Sequence, residues 1–424
     1  MSPPTFDVQK ARSHFPSLAT GYIFGDNAGG SQCTKDVADR IHDYLCNTNV
    51  QLGADYSASQ ISTKRVMVDG PEHAKILFNA DSSDEIVFGS SSTLNIENLA
   101  RGLEGGIRGG DEFVLTGEHE ANGGPWKKLA DRRGAITKVW RPTPINPNNP
   151  YSVGYRIDDL IPLITAKTRI VAFSATSNIL GSVIPVKETI KAIRKAAKEK
   201  GAKNVEVSVD CVAYAPHRQM DVQDWDVDFC VFSFYKVYGP HISSLYVRHS
   251  SIQNTVSSIV HHFLNVHKTS YKLQPGGPGY EVVYGTTGVV PYLLSLTDSN
   301  DLKATFGAIA KHEQQLINPL LEYLTAPKQV EKGVRVVGDE NAGPDRVPTI
   351  SFVVLGRKSK DIVRVFDKKG GIGIRYGHFY AWELIEKLEP KLDTDDGVVR
   401  ISLVHYNTVK EVERIIEILQ EILD

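Results

Sequence analysis

Between residues 85 and 248 the chain alternates short apolar runs with longer amphipathic stretches. The apolar runs are rich in β-branched residues and end at polar turns, which is typical of buried strands. There are seven of them: EIVFGS, DEFVLTG, ITKVW, TRIVAFSA, VEVSVD, VDFCVFS and SSLYVR. Helical patterns such as NIENLARGLEGG and VKETIKAIRKAAKEKG lie between them. This order predicts an α/β fold with a mainly parallel, seven-stranded sheet and helices on both of its faces.

The pattern changes after about residue 290. A long helical stretch, DLKATFGAIAKHEQQLINPLLEYL, precedes the strand patterns TISFVVLG and VVRISLV and a closing helix, TVKEVERIIEILQEIL. We therefore predict a large domain over residues 16–290 and a smaller α+β domain over residues 291–424, which residues 1–15 join.

The net charge of -2 and the isoelectric point near 6.7 give no long-range field of either sign, so neither nucleic acid nor an anionic membrane is an expected partner. No apolar run approaches the roughly 20 residues that cross a bilayer, and the first residues do not resemble a signal peptide. We expect a cytoplasmic protein that acts on a small molecule. The four cysteines, Cys33, Cys46, Cys211 and Cys230, lack CxxC spacing, so we expect reduced thiols and no metal site.

The most specific segment is VFSFYKVYGP, in which Lys236 comes three residues after the strand that ends at Ser233. Ligands of open α/β sheets bind beyond the carboxyl ends of the strands. A lysine that is desolvated there favours the neutral amine, which attacks an aldehyde to form a Schiff base. The ordinary alternative is a surface lysine after a strand.

Asp210 ends the strand VEVSVD, 26 residues before Lys236. A buried carboxylate is costly unless it has a cationic partner, and a protonated pyridine nitrogen is such a partner. This pairing keeps a pyridoxal ring cationic, so that it accepts electrons from a substrate carbanion. An aspartate that caps the next helix is the alternative.

Three further segments fit the same cofactor. GSSST, at residues 89–93, follows a strand and opens a helix, so its N–H groups and hydroxyls converge on an anion such as a phosphate. His119 follows another strand, where an imidazole can lie flat on a pyridine ring, and Asn178 ends a third and can donate to a ring oxygen. Helix capping, a surface histidine and a turn asparagine are the respective alternatives.

Taken in order, the motifs E-H, S-N-x-x-G, V-D and S-x-x-K-x-x-G-P resemble the class V aminotransferase superfamily of fold type I pyridoxal 5'-phosphate (PLP) enzymes, in its cysteine desulfurase-like branch. The resemblance runs from YIFGDNAGG to VVRISLVHYNTVKEV. It implies that Lys236 carries PLP, that Asp210 pairs with the pyridinium, that His119 stacks on the ring and that Asn178 faces the phenolic oxygen.

The resemblance also assigns the phosphate and substrate contacts. It implies that the phosphate is held by Ser92, Thr93, Ser233 and Tyr235, with Thr286 supplied by the second subunit of a homodimer. It places Asn27 in a loop on the substrate side and Arg400 on the substrate carboxylate, a task that suits a bidentate guanidinium.

The departures from the family pattern narrow the reaction. Desulfurases carry a persulfide-forming cysteine in a loop after Arg-x-Gly-His, but here the loop reads IRYGHFYAWEL and Tyr380 stands in that place. A phenol cannot carry a persulfide. Ala213 replaces the glutamine that usually bonds the ring oxygen. The chain resembles a subgroup that lacks the persulfide cysteine and includes fungal cysteine sulfoxide lyases and a decarboxylating, aldol-forming enzyme that uses aspartate.

We therefore expect a PLP-dependent lyase that cleaves the carbon–sulfur bond of a cysteine S-conjugate or sulfoxide by β-elimination, with Tyr380 or His378 protonating the leaving sulfur. The alternative is decarboxylation of an acidic amino acid followed by aldol capture, for which Arg375 is the candidate second cation. A cysteine desulfurase, an aminotransferase and a non-catalytic binding protein of the same fold remain further alternatives.

Overall fold

The computed structural model describes residues 6–264, 266 and 269–423. Its large sheet contains seven strands: β1 (Ile86–Gly89), β2 (Glu112–Thr116), β3 (Ile136–Trp140), β4 (Thr168–Ser174), β5 (Glu206–Asp210), β6 (Phe229–Ser233) and β7 (Ser243–Val247). Their order is β1-β7-β6-β5-β4-β2-β3. Strand β7 is antiparallel to β1 and β6, and the other neighbours are parallel. The predicted α/β fold with a mainly parallel, seven-stranded sheet is confirmed.

Nine helices of eight residues or more are present in the described ranges: α1 (Lys35–Asn47), α2 (Ser57–Lys64), α3 (Gly70–Phe78), α4 (Ser92–Leu103), α5 (Glu120–Arg133), α6 (Val186–Lys200), α7 (Leu302–Thr325), α8 (Ser359–Gly370) and α9 (Val409–Leu423). The shorter helical segments are Val8–Ser13, Pro16–Thr20, Arg65–Asp69, Ser83–Glu85, Glu104–Gly106, Ile157–Leu160, Ile161–Leu163, Val222–Trp225, Phe234–Lys236, His249–Asn254, Ser270–Leu273, Tyr280–Thr286, Val289–Ser295, Pro327–Glu331 and Trp382–Lys387.

Local capping fixes where α4 and α5 begin, which matters because both helices start at the sheet edge that carries the site. The hydroxyl of Ser91 accepts the Leu94 N–H at 3.2 Å, and Nδ1 of His119 accepts the Ala121 N–H at 3.1 Å. Such side-chain acceptors satisfy N–H groups that have no partner within the first turn. Helix α5 ends at Gly134, whose φ of 67° lies in the left-handed region that favours glycine.

The smaller sheet is antiparallel and contains β8 (Val334–Val337), β9 (Thr349–Val354), β10 (Arg375–Gly377) and β11 (Val398–Ser402), in the order β8-β9-β11-β10. Apolar side chains of α7, α8 and α9 share its core. Two short pairs complete the strands: Ile23–Phe24 pairs with Ile372–Gly373, and Thr143–Pro144 pairs with Val153–Gly154. The first pair ties the N-terminal loop to the smaller domain.

The two large apolar cores meet within α7. Leu302, Phe306 and Ile309 belong to the core around the large sheet, whereas Leu316 and the apolar residues after it belong to that of the small sheet. The change of core therefore lies beyond the predicted boundary at residue 290. Phe15, in the segment predicted to join the smaller domain, packs into the larger core.

Among the residues that the structure describes, no helix is long and apolar enough to span a membrane.

Candidate active site

A cavity of about 440 Å³ opens beyond the carboxyl ends of the central strands. Its walls come from the N-terminal loop, the starts of α4 and α5, the turn after β6 and the smaller domain. Its lining includes Ala28, Gly29, Ser92, Thr93, Glu97, His119, Glu120, Lys128, Asn178, Ser233, Tyr235, Lys236, Arg375, Phe379, Tyr380 and Arg400. The site thus forms where the edge of the large sheet faces segments around the smaller sheet.

Lys236 lies in the single helical turn that follows β6 and is only 5% exposed. Burial, aided by the positive charge of Arg400, lowers its pKa to about 8. At pH 7 roughly a tenth of the side chain is therefore the neutral amine that a nucleophilic lysine requires, far more than for a lysine with the ordinary pKa of 10.5. This environment is the one predicted from the sequence.

Asp210 reaches the same space from the neighbouring strand. Strands β5 and β6 pair in parallel with Asp210 opposite Val231, and a recess of about 30 Å³ is lined by Asp210, Lys236 and His119. One carboxylate oxygen of Asp210 accepts the Val212 N–H at 2.8 Å. Burial raises the pKa of Asp210, while this hydrogen bond and the charge of Lys236 act in the opposite direction. None of the ion pairs among the described residues includes Asp210, so its carboxylate can still pair with a cationic ligand.

Several buried polar atoms around this recess have no hydrogen-bond partner among the described residues. They are the hydroxyls of Ser174, Thr176 and Ser233 and the side-chain oxygen of Asn178. Ser174, Thr176 and Asn178 line the recess, and Ser233 lines the main cavity. Because buried polar atoms are nearly always paired, their clustering indicates a polar ligand. Ala213 and Thr176 line the same recess, so the hydroxyl of Thr176 is one polar group present where Ala213 offers none.

The phosphate end of such a ligand fits the start of α4. Ser92 and Thr93 line the cavity at the first turn of this twelve-residue helix, where free N–H groups and the helix dipole favour an anion. The unpaired Ser233 hydroxyl and Tyr235 line the same cavity. Tyr235 is held by stacking on His241, with ring centroids 5.3 Å apart and planes 5° apart. These residues, together with Lys236 and Asp210, fit PLP.

His119 presents a neutral ring to the cavity. Its burial, together with the charges of Lys236 and Arg400, lowers its pKa to about 3. Because its Nδ1 accepts the Ala121 N–H at 3.1 Å, the remaining proton belongs on Nε2. A neutral, oriented imidazole suits stacking on a cationic pyridine ring.

Asn178 does more than line the cavity. Its side-chain Nδ2 donates to the backbone carbonyl of Phe379 at 3.0 Å, and its backbone carbonyl accepts from Nη1 of Arg400 at 3.2 Å. Asn178 therefore ties the large domain to the loop and strand of the smaller domain that bear the substrate-side residues.

Arg400 is 1% exposed and is oriented by three contacts. Besides the Asn178 carbonyl, its Nη2 donates to Asp26 at 2.8 Å, and its guanidinium carbon lies 3.6 Å from the ring centroid of Phe379. Burial lowers its pKa to about 10, so the group stays charged at neutral pH. Its buried Nε has no partner among the described residues, which leaves a donor for a substrate carboxylate.

The two side chains that contact Arg400 from the substrate side, Asp26 and Phe379, were not predicted from the sequence. Asp26 stands beside the predicted Asn27 and reaches both arginines, since its second oxygen is 3.6 Å from Nη1 of Arg375. The only sequence signal for Asp26 is its place in the motif GDNAGG. Phe379 belongs to no comparable motif, so the sequence gives no signal for its role.

The loop that bears Tyr380 is shaped by two successive left-handed residues. Phe379 has a φ of 49° and Tyr380 a φ of 61°. The carbonyl of Tyr380 accepts the Glu120 N–H at 2.8 Å, and its ring lies 5.5 Å from that of His119. The side chain is 68% exposed at the cavity mouth. His378 does not line the cavity; its Nδ1 accepts the Tyr380 N–H at 3.2 Å.

Asn27 and Thr286 lie elsewhere. The amide nitrogen of Asn27 donates to the Phe24 and Ser402 carbonyls at 2.7 and 3.0 Å, and its oxygen accepts from the Tyr406 hydroxyl. It therefore anchors the loop, whereas Ala28 and Gly29 after it line the cavity.

Thr286 is fully buried in its own chain, where its hydroxyl donates to the Val283 carbonyl at 2.7 Å. Its role as a phosphate ligand supplied by the second subunit of a homodimer stays a prediction.

The thiols are absent from the described lining of this cavity. Cys211 and Cys230 are buried in the sheet with their sulfur atoms 3.4 Å apart, and Cys33 and Cys46 lie on other parts of the chain. Tyr380 stands where the resemblance to desulfurases places the persulfide-forming cysteine.

Comparison with known proteins identifies the family. The family model for class V aminotransferases matches residues 23–415. The chain is 41% identical to the aminotransferase-like protein FGM3 of Gibberella zeae, with 100% of both chains covered. It is 32% identical to the cysteine desulfurase-like protein ustD of Aspergillus flavus, with 98% and 91% covered.

A cysteine desulfurase structure from Thermococcus onnurineus has the same fold, with a TM-score of 0.83 at 23% identity over 100% of this chain and 98% of the other. The chain therefore belongs to the class V aminotransferase family, within its cysteine desulfurase-like branch, and is a PLP-dependent enzyme.

Proposed function

We propose that the protein is a lyase that cleaves the carbon–sulfur bond of a cysteine S-conjugate or sulfoxide by β-elimination. The observation that carries this proposal is the composition of the cavity. Its described lining combines a buried lysine, Lys236, with a carboxylate-binding arginine, Arg400, and contains no cysteine. Elimination of a sulfur leaving group needs a base and a carboxylate anchor but no protein thiol.

Each residue has a separate task. PLP, when bound, supplies the electron sink for negative charge that develops at the substrate α-carbon. Lys236, with a pKa of about 8, accepts the α-proton at its Nζ. Arg400 binds the α-carboxylate and fixes the direction of the Cα–H bond. His119 is neutral and packs against the ligand rather than exchanging protons.

The overall reaction balances without an added oxidant or reductant. The bond between the β-carbon and sulfur breaks, the electron pair leaves with sulfur, and the sulfur fragment takes up a proton. The remaining three-carbon unit is hydrolysed by one water to pyruvate and ammonium. Tyr380, whose phenol stands at the cavity mouth, is our candidate donor of the proton to sulfur. His378 then orients Tyr380 through the hydrogen bond to its N–H.

The test measures pyruvate release from a panel of S-alkyl cysteines and their sulfoxides. We expect pyruvate with at least one member of the panel, and we expect the activity to survive when Cys33 and Cys46, the exposed thiols, are both replaced by serine. Lys236→Ala is the inactive control. Absence of pyruvate across the panel from protein that carries PLP would remove the proposal.

One observation favours a second candidate, decarboxylation of an acidic amino acid with aldol capture. Arg375 lines the cavity and its side chain is 56% exposed, so a second cation stands near Arg400. Release of carbon dioxide from aspartate together with an aldehyde, without pyruvate, would identify this reaction.

A further inference from the structure

We infer that Asp26 is a specificity-determining positioning residue that restricts the active site to amino acids with a single carboxylate group. The inference rests on the proposed function, because it names the substrate class of that same site. It also separates the two candidate reactions, since cysteine derivatives with neutral side chains carry one carboxylate and aspartate carries two.

Asp26 shares one carboxylate between two cations. Its Oδ1 accepts from Nη2 of Arg400 at 2.8 Å, and its Oδ2 lies 3.6 Å from Nη1 of Arg375. Two guanidinium groups and one carboxylate leave a single net positive charge. One substrate carboxylate therefore balances the cluster, and a second would be in excess.

The rest of the described lining offers a second carboxylate no free cation. Lys128 pairs with Glu97 at 2.5 Å, and Lys236 is the PLP lysine. Glu120 adds a negative charge to the cavity wall, and none of the ion pairs among the described residues includes it. An anionic substrate side chain would thus meet Arg375, whose charge Asp26 already balances, and the carboxylate of Glu120.

The position of Asp26 is built into the fold. Asp26 bridges to Ser402 on β11, two residues after Arg400, and the Ala28 N–H donates to the Ser402 hydroxyl at 2.9 Å. Oδ2 of Asp26 also packs on Gly29, where an added Cβ would come within 2.8 Å of it. A side chain at Gly29 would displace the carboxylate from the arginines.

The experiment compares two ligands of nearly equal shape, asparagine and aspartate, which differ by one charge. Binding to the PLP-loaded enzyme is followed by the change in the visible absorbance of the cofactor, so no turnover is needed. We expect the wild type to bind asparagine more tightly than aspartate. In Asp26→Asn we expect the affinity for aspartate relative to asparagine to rise at least about tenfold, equivalent to about 1.4 kcal/mol.

Two further variants show where the change originates. Glu120→Gln also removes a negative charge from the wall but frees no arginine, so its effect on the ratio should be clearly smaller. Adding Arg375→Gln to Asp26→Asn should cancel the gain. Thermal unfolding and the cofactor absorbance confirm that each variant is folded and loaded.

Three results would overturn the inference: a wild type that prefers aspartate, an Asp26→Asn ratio equal to that of the wild type, or an equal shift in Glu120→Gln. The wild-type measurement can overturn the inference even if Asp26→Asn does not fold. Failure of the pyruvate assay would remove the lyase proposal and leave the binding ratio intact, so the two failures are distinguishable.

Discussion

The guanidinium carbon of Arg400 lies 3.6 Å from the centre of the Phe379 ring, a cation–π contact in a buried site. Phe379 thereby supports the face of the arginine that we assign to the substrate carboxylate. A desolvated contact of this kind contributes up to about 2 kcal/mol.

Replacement of this ring should weaken substrate binding. In Phe379→Leu we expect KM for the amino acid to rise roughly 3- to 30-fold, the range that about 0.6–2 kcal/mol gives, with a smaller change in kcat. Phe379→Tyr keeps the ring and is the matched control. A Leu variant with an unchanged KM would show that the contact does not orient Arg400.

Ser233 and Ser243 provide a matched pair for the cofactor site, because they lie opposite each other on β6 and β7. Within the described ranges the Ser233 hydroxyl is buried without a partner, whereas that of Ser243 donates to the Phe232 carbonyl at 2.6 Å. Ser233→Ala should weaken PLP binding roughly 10- to 100-fold, as loss of a hydrogen bond to a charged group does.

The thermal stability of the cofactor-free protein should distinguish the two variants. Ser233→Ala should leave the Tm of the cofactor-free protein unchanged, while Ser243→Ala should lower it and leave the Kd for PLP unchanged. The measurements are an absorbance titration with PLP and thermal unfolding. Equal Kd values for PLP in Ser233→Ala and the wild type would remove Ser233 from the cofactor site.

The lowered pKa of Lys236 predicts how the cofactor-free protein captures PLP as the pH changes. Only the neutral amine attacks the aldehyde, so the capture rate should rise with pH and level off above a midpoint near 8, the pKa of Lys236. Stopped-flow absorbance measures this rate. A midpoint near 10.5, the ordinary value for lysine, would contradict the buried environment.

Two charge variants should move this midpoint in opposite directions. Arg400 lowers the pKa of Lys236, so Arg400→Gln should shift the midpoint upward. Asp210 raises that pKa, so Asp210→Asn should shift it downward. Shifts of the same sign in both variants would mean that a structural change, and not the charge, is responsible.

Much of the fold and site follows from residues at strand ends. The seven apolar runs predict the large sheet, and the polar residues after them include Lys236, Asp210, His119 and Asn178, all of which line the cavity or its recess. The reason is geometric, since the carboxyl ends of parallel strands meet at one edge of the sheet.

The remainder depends on contacts between distant parts of the chain. Asp26 and Arg400 are 374 residues apart in the sequence. Phe379 belongs to the site because its ring packs against the guanidinium of Arg400. Likewise, the amide of Asn27 is occupied by Ser402 and Asn407, partners that sequence spacing does not reveal. The family motif places Asn27 near the substrate, and the local hydrogen bonds give it a structural task.

The central claim is that Lys236 carries PLP inside this cavity, and a mapping experiment tests it most directly. Borohydride reduction of the PLP-loaded protein fixes the cofactor to its lysine, and peptide mass spectrometry then locates it. We predict a single modified peptide that contains Lys236. Modification of Lys128, another lysine that lines the cavity, or the absence of any modified peptide would contradict the account.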